Sequence, residues 1–338
     1  MIDSHMFLKQ LAAAFDHRTA LFDEEHHVAL RLFNGYYEGL SDMVIDLYGR
    51  TLVVFNHARI PNELDGVVDI AQNWLEKRLP WLNAIVIKER FAANLQSRRG
   101  RLVSGARADD RIYENGVWYA IDLVLSQDAS FYLDTRNLRS WIKANLSDKT
   151  LLNTFAYTGS LGAAALAGGA RRVVQTDLNG RYLELARHTC DLNAFPTGLI
   201  EFHKGDFFHE VGRFKQEKAL FDCVILDPPF FSETGAGRVD LEKEYVQLIN
   251  KVRPLVAHEG WLVIVNNALY VGGAAHLSML QALCAGGYLC LEEILQVPED
   301  VTGFPETQIL PPPVDPAPFN HSTKISVLRV RRKDGLKG

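Results

Sequence analysis

Three short segments carry side chains suited to holding an adenosine, and a fourth could present a flat base to it. The fourth is Asp227-Pro228-Pro229-Phe230, which closes the apolar run DCVILD. Two consecutive prolines fix φ and remove two backbone donors, leaving a rigid carbonyl edge beside an aromatic ring. That suits a planar base stacked on Phe230 with its polar edge toward the chain. A Pro-Pro pair also serves simply to end a strand. Its place at the carboxyl end of a central strand, where open α/β sheets bind ligands, favours the ligand reading. The first of the adenosine segments, NTFAYTGSLGAAALAGGA from Asn153, turns from a strand into a small-residue helix at Gly159 and Gly162. A ligand can there approach backbone and helix N-terminus closely. The following run ends in Asp177, placed to accept hydrogen bonds from ribose hydroxyls. In HKGDFF, Asp206 and Phe207 can hold an adenine by its amine and by stacking. A glycine pair or an Asp alone reads equally well as packing or solvation; together, in this strand context, they point to an adenosine-containing ligand.

A dinucleotide needs its pyrophosphate cradled by the full G-x-G-x-x-G, and here Tyr157 stands where the first glycine belongs. S-adenosylmethionine carries no phosphate and tolerates the looser turn, so it is the expected cofactor, ahead of a nicotinamide dinucleotide. The eleven histidines form no ligand set: His26-His27 and His203 with His209 lack carboxylate or Cys partners at metal spacing, so no metal is expected. Cys190, Cys223, Cys284 and Cys290 are too few for a disulfide scaffold and show no paired metal spacing.

These segments need a rigid sheet to bring them together. From about Asp134 helical patterns alternate with apolar runs at Thr150, Arg172, Leu199, Asp222 and Trp261, as in a parallel sheet covered by helices on both faces. A stretch from Pro298 to Pro318 holds seven of the thirteen prolines, and KISVLRV from Lys324 then reads as an antiparallel edge strand. The first third is different. It has a helix from Phe7, strands at Val28, Met43 and Thr51 (the last two joined by a Gly49-Arg50 turn), a helix from Val67, and strands at Ala84 and Trp118. No β-α-β rhythm is visible there, which makes it α+β. The expected organisation is a small α+β domain over 1–125 and an α/β domain over 126–338. The 338 residues suit two domains. A net charge of −5 and 47% hydrophobic residues exclude a disordered chain, a collagen-like repeat and a strongly basic packaging protein. With no apolar run long enough to span a bilayer and no signal-peptide layout, a cytoplasmic protein is expected.

From about Asn34 to Val330 the sequence resembles the S-adenosylmethionine-dependent methyltransferases of large-subunit ribosomal RNA, the I and K/L types. GLSDMVIDLYG, QDASFYLDTRNLR, NTFAYTGSLGAAALAGGA, QTDLNGRYLELARHTCDLNAF, GDFF and FDCVILDPPFF carry the resemblance, in the family's order. It implies a class I methyltransferase fold, a seven-stranded Rossmann-like sheet, behind a smaller α+β domain. It also assigns Phe131, Tyr132, Asp134 and Arg136 to a segment closing over the cofactor, and Phe155, Ala156, Tyr157 and Gly159 to the first cofactor loop. By the same resemblance Asp177 and Leu178 flank ribose and adenine, Asn193, Asp206 and Phe207 complete the adenine side, and Asp227 with Pro228 marks the methyl-donor end. The family's N-terminal PUA domain is expected to be absent, since only about 30 residues precede the matched region, too few for a domain.

One departure bears on chemistry. Where 5-methylcytosine-forming members carry Ser-Cys-Ser after the fifth strand, this chain has Val265-Asn266-Asn267. Carbon 5 of cytosine becomes nucleophilic only after a thiolate adds to carbon 6, whereas a ring nitrogen needs only in-line positioning. Asn266-Asn267 resembles the type that methylates guanine nitrogen 7. The expected enzyme therefore methylates an RNA base at nitrogen, using Asp227, Pro228, Pro229, Phe230 and Asn266. The alternatives are 5-methylcytosine formation and a non-catalytic RNA-binding or assembly factor on the same fold. For RNA contact, Lys88 to Arg111 holds seven basic residues against three acids. Arg98, Arg99 and Arg101 are the expected phosphate contacts, and Arg329, Arg331, Arg332 and Lys333 form a second basic group.

Overall fold

A computed structural model describes residues 3–60 and 62–333. The chain forms two compact units: residues 1–134 with 298–312, and residues 135–297 with 313–338.

The first unit opens with α1 (Ser4–Arg18), whose N-terminus is capped by the Asp3 carboxylate accepting from the amides of His5 and Met6. A five-stranded sheet follows, in spatial order β1 (Ala29–Asn34), β2 (Met43–Tyr48), β3 (Thr51–Asn56), β4 (Ala84–Glu89) and β5 (Arg101–Ser104). Gly49, at φ +61°, makes the tight β2–β3 turn that pairs Tyr48 with Thr51. Contrary to the sequence reading, this unit does contain a β-α-β crossover. The strands β3 and β4 run parallel, joined by α2 (Asp65–Arg78), which buries Val67, Val68, Ala71 and Leu75. Phe7, Leu11 and Phe15 of α1 pack into the same core as Leu32, Ile45, Leu47 and Val54. Each such buried side chain contributes about 1.5–3 kcal/mol. A hairpin, β6 (Arg111–Glu114) and β7 (Val117–Ala120), turns through Asn115 and Gly116, both at positive φ.

The proline-rich stretch does not divide cleanly from this unit, and the division expected at 125 differs from the observed one for that reason. Buried Arg18 pairs with both Glu38 oxygens, at 2.9 and 3.1 Å, and donates to the Asp300 carbonyl at 2.8 Å. Asn34 donates to the Val301 carbonyl and Thr307 to Glu38. Residues 298–312 are thus held on the first unit by buried charge and hydrogen bonds, which composition alone does not reveal.

The second unit alternates α3 (Arg136–Asn145), β8 (Thr150–Asn153), α4 (Ser160–Ala167), β9 (Arg172–Asp177), α5 (Gly180–Leu192), β10 (Ile200–Lys204), α6 (Phe207–Gln216) and β11 (Phe221–Leu226). A two-stranded excursion, β12 (Phe231–Thr234) and β13 (Gly237–Asp240), precedes α7 (Tyr245–Val252), β14 (Val256–Asn266), α8 (Gly273–Cys284), β15 (Leu289–Leu295) and β16 (Lys324–Val330). The seven-stranded sheet has the order β10-β9-β8-β11-β14-β16-β15. The first five strands are parallel. The last strand is antiparallel as expected but is not the edge: β16 inserts between β14 and β15. Burial explains that place. KISVLRV is buried along nearly its whole length, whereas β15 carries Glu292 and Glu293 on a half-exposed strand, which suits an edge.

Candidate active site

Successive strands step from β8 to β10 in one direction and from β11 to β14 in the other. The order therefore reverses between β8 and β11, where open α/β sheets form a ligand crevice at the strands' carboxyl ends. Four of the sequence-derived segments sit on such ends: Phe155–Gly159 after β8, Asp177 and Leu178 at β9, Asp206 and Phe207 after β10, and Asp227–Phe230 after β11.

The first loop is tied into the sheet before it turns. Thr154 donates through its hydroxyl to the Ile225 carbonyl at 2.7 Å, and the Ala156 amide to the Thr176 carbonyl at 2.9 Å. Tyr157 and Gly159 both take positive φ, +50° and +79°. A side chain at Gly159 would overlap Ala186, and one at Gly162 would overlap Gln175. Both glycines are therefore demanded by close helix–strand packing, which also brings the loop backbone against Asp177. One Asp177 oxygen accepts from the Tyr157 amide and the other from the Asn179 amide, each at 2.8 Å. Burial raises the Asp177 pKa from its ordinary value, and those two donors pull it back only in part. Each oxygen keeps a lone pair beyond its amide contact, which is what a diol needs in an acceptor.

On the adenine side, Asp206 caps α6, accepting from the Phe208 amide at 2.8 Å, and its second oxygen accepts from the Thr234 hydroxyl at 2.7 Å. Phe207 is buried and stacks on half-buried Phe155 at 4.6 Å, so its ring is core as well as site wall. Leu178 stays 59% exposed beside Asp177. The set is acceptor-rich and apolar, with no cation among these residues to meet a phosphate. That chemistry suits the adenosine of S-adenosylmethionine.

Beyond β11, Pro228 is buried while Phe230 is 47% exposed. The Phe230 carbonyl accepts from the Leu241 amide, fixing the β12–β13 excursion at its base. Asn266 is placed differently from the expected substrate contact. It is buried, its amide donates to the Leu241 carbonyl at 3.3 Å, and its oxygen accepts from the Ala268 amide at 2.9 Å. It thus braces the segment after β13 against the end of β14.

Asn193 follows α5, whose thirteen residues run about 20 Å away from the β9 carboxyl end. Its amide donates to the Thr189 carbonyl, so it caps the far end of the helix instead of completing the adenine side. Phe131, Tyr132 and Asp134 belong to the first unit. Phe131 packs on Tyr119 at 5.0 Å and its carbonyl accepts from Tyr48, while the Tyr132 hydroxyl donates to Asp128. Arg136 begins α3 in the second unit.

Arg98 and Arg99 end a one-turn helix, Leu95–Arg99, and Arg101 opens β5. Lys88 does not join them at the surface. It is buried and donates to the carbonyls of Arg99, Ser126 and Asp128; burial lowers its pKa to about 8. In the second basic group, Arg329 pairs with Glu292 and Arg331 with Glu259, and Arg332 donates to the Pro254 carbonyl.

Sequence reasoning missed Tyr245 and Lys324. The Tyr245 hydroxyl donates to the Val265 carbonyl at 2.8 Å, and burial, helped by the Asp227 charge, pushes its pKa well up. Lys324, fully buried, donates to the Ala268 and Ser322 carbonyls, and burial lowers its pKa to about 8. A lysine opening an apolar strand was the one visible signal. Cys190 and Cys223 are buried with thiol pKa values raised by burial, and Cys223 lies four residues before Asp227, about 13 Å along the strand. Among the described residues no His, Cys, Asp or Glu group is arranged for a metal, and no helix is long and apolar enough to cross a membrane.

The reversed strand order and the carboxylates at successive strand ends define a class I S-adenosylmethionine-dependent methyltransferase. A family model described as S-adenosylmethionine-dependent methyltransferase matches residues 78–305, and the chain belongs to that family. A Bacillus subtilis protein, provisionally named ribosomal RNA large subunit methyltransferase YwbD, is 29% identical over 319 residues, covering 91% of this chain and 80% of the relative. Ribosomal RNA large subunit methyltransferase I of Aliivibrio fischeri is 29% identical over 263 residues, covering 74% of this chain and 65% of the relative. A solved structure titled as a methyltransferase, provisionally assigned, in complex with SAH superposes with a TM-score of 0.81 at 22% identity. The match covers 98% of this chain and 82% of that one.

Proposed function

We propose that this methyltransferase acts on a large-subunit ribosomal RNA base and transfers the methyl group to a ring nitrogen, guanine nitrogen 7 before others. The names of the relatives support ribosomal RNA as the substrate class. The observation that carries the choice of atom is the placement of thiols. Cys190 and Cys223 are buried, Cys284 ends α8, and Cys290 lies on the edge strand β15, so no cysteine stands in the segment 267–272 that directly follows β14. Without a thiolate to add to carbon 6, carbon 5 of cytosine is not a nucleophile. Nitrogen 7 of guanine has its own lone pair and carries no proton, so neither a covalent adduct nor a general base is required.

Bound S-adenosylmethionine supplies a methyl group on a sulfonium, which leaves as a neutral thioether. Asp177 holds the ribose, and Phe155, Leu178, Asp206 and Phe207 form the adenine side. Half-exposed Phe230 offers its ring to the acceptor base, and the proline pair fixes the backbone beside it. Alignment of the base is the main catalytic contribution. The base becomes cationic as the nitrogen–carbon bond forms, and Asp227 at the same strand end stabilises that charge. Asn266 and Tyr245 act as positioning residues beneath this loop. Incubating the purified chain with large-subunit ribosomal RNA and isotopically labelled S-adenosylmethionine, then digesting to nucleosides, tests the reading. Label in 7-methylguanosine supports it; label in 5-methylcytidine, or none in RNA, overturns it.

A further inference from the structure

The first unit carries aromatic and basic side chains together on one end of its sheet; Arg90 among them also pairs with Asp128 at 3.4 Å, and the methyl-transfer chemistry uses none of them. Because β3 and β4 are parallel neighbours with Asn56 opposite Glu89, the residues just after each strand emerge side by side. The Arg90 amide donates to the Asn56 carbonyl at 2.9 Å, which fixes that juxtaposition. After β3 come His57 and Arg59; after β4 come Arg90 and Phe91. The Arg59 guanidinium lies over the Phe91 ring at 5.4 Å, yet Phe91 remains 55% exposed. Tyr36, 42% exposed, lies 5.9 Å from the His57 ring, which in turn stacks near Phe55. His57 is neutral at physiological pH: burial and the charges of Arg90 and Arg31 lower its pKa to about 4. A few residues further on, the chain brings in Arg98, Arg99 and Arg101.

Leaving a phenylalanine more than half open costs burial energy that the core would otherwise gain. A solvated charged face explains the arginines but not the rings. A second copy of this chain would need a compensating acidic patch, whereas the local charge here is positive. Unpaired bases present a π-face to be stacked and phosphates to be neutralised, and single-stranded RNA sites combine aromatic platforms with arginines for this purpose. We infer that Phe91 with Arg59, flanked by Tyr36 and Arg90, is a stacking platform for an unpaired nucleotide of the RNA substrate, beside the phosphate contacts of Arg98, Arg99 and Arg101. This deepens the RNA reading above and rests on it.

Stacking and phosphate neutralisation leave different signatures. Phosphate contacts release counterions and set the slope of log affinity against log salt; stacking changes affinity without that slope. Fluorescence anisotropy with the full-length chain, a single-stranded ribosomal RNA oligonucleotide and a duplex control separates them. We expect Phe91→Ala to weaken single-stranded binding about tenfold with the salt slope unchanged. Phe91→Tyr should restore it, and duplex binding should barely move. Joint neutralisation of Arg98, Arg99 and Arg101 should flatten the slope. S-adenosylmethionine affinity, measured by calorimetry, should stay at the wild-type value in all three variants, which also shows that they fold. Wild-type RNA affinity in Phe91→Ala and Arg59→Ala, with the wild-type chain binding RNA, would overturn the platform alone. A change of molecular mass in Phe91→Ala at unaltered RNA affinity would overturn it in favour of a contact between copies. A wild-type chain without RNA affinity would overturn the RNA reading and the platform with it.

Discussion

The Asp177 carboxylate accepts the Tyr157 backbone amide at 2.8 Å, across the boundary between two neighbouring strand ends. This bond joins the glycine turn after β8 to the acid at the end of β9, so the loop's shape and the proposed ribose acceptor are set together. Tyr157 occupies the position of a dinucleotide motif's first glycine. Its positive φ makes the turn without that glycine, and its amide is spent on a carboxylate and not on a phosphate.

Asp177→Ala should weaken S-adenosylmethionine binding by at least about 1–2 kcal/mol, the worth of a charge-assisted hydrogen bond to a ribose hydroxyl together with the lost loop anchor. Titration calorimetry on the folded variant checks this. Unchanged affinity would remove Asp177 from the cofactor site.

Phe230→Ala and Asn266→Ala should both lower kcat more than they weaken cofactor binding, but by different routes. Phe230 is exposed and its loss should leave stability nearly untouched. Asn266 makes two internal hydrogen bonds, and its loss should also destabilise the fold by about 1–3 kcal/mol. Steady-state kinetics paired with denaturant unfolding distinguishes the two. Equal stability loss in both variants would show that Phe230 is a packing residue.

Lys88 should be a stability determinant with a distinctive pH profile. Lys88→Met orphans three carbonyls and should cost about 2–4 kcal/mol at neutral pH. The Lys88 ammonium titrates near pH 8 when folded against an ordinary 10.5, so between these values the unfolded chain binds more protons. The Lys88 contribution to stability therefore rises with pH across that window. Urea unfolding of wild type and variant from pH 7 to 10.5 should show the gap widening; a gap that narrows would contradict a folded-state pKa lowered by burial.

Replacing all four cysteines by Ala or Ser should leave methyl transfer per folded molecule largely intact, with Cys223 costing stability because it is fully buried in β11. RNA containing 5-fluorocytosine should trap no covalent complex. A trapped adduct abolished by one cysteine change would reverse the assignment of the methylated atom.

The parallel sheet and its strand-end residues were legible because hydrophobic runs, a glycine turn and terminal carboxylates are local signals. Where an outcome depended on distant partners, the sequence was silent. The β-α-β crossover of the first unit was hidden because α2 returns to a sheet whose other pairings are antiparallel. The strand from Lys324 lies inside β15 and not at the edge, because edge position follows burial on both faces, not order. Lys88 reads as one more basic residue until its three carbonyl partners are seen. Asn193 sits in a family-like segment, yet the length of α5 carries it to the far end. Residues 298–312 joined the first unit through Arg18 and Glu38, which lie some 260 or more positions earlier.

The most direct test is the nucleoside composition of large-subunit ribosomal RNA from cells with and without the gene, by mass spectrometry with the modified site mapped. One 7-methylguanosine should disappear without the gene and return with the wild-type chain but not with Asp177→Ala. An unchanged nucleoside profile, or the loss of a 5-methylcytidine instead, would contradict the proposed function.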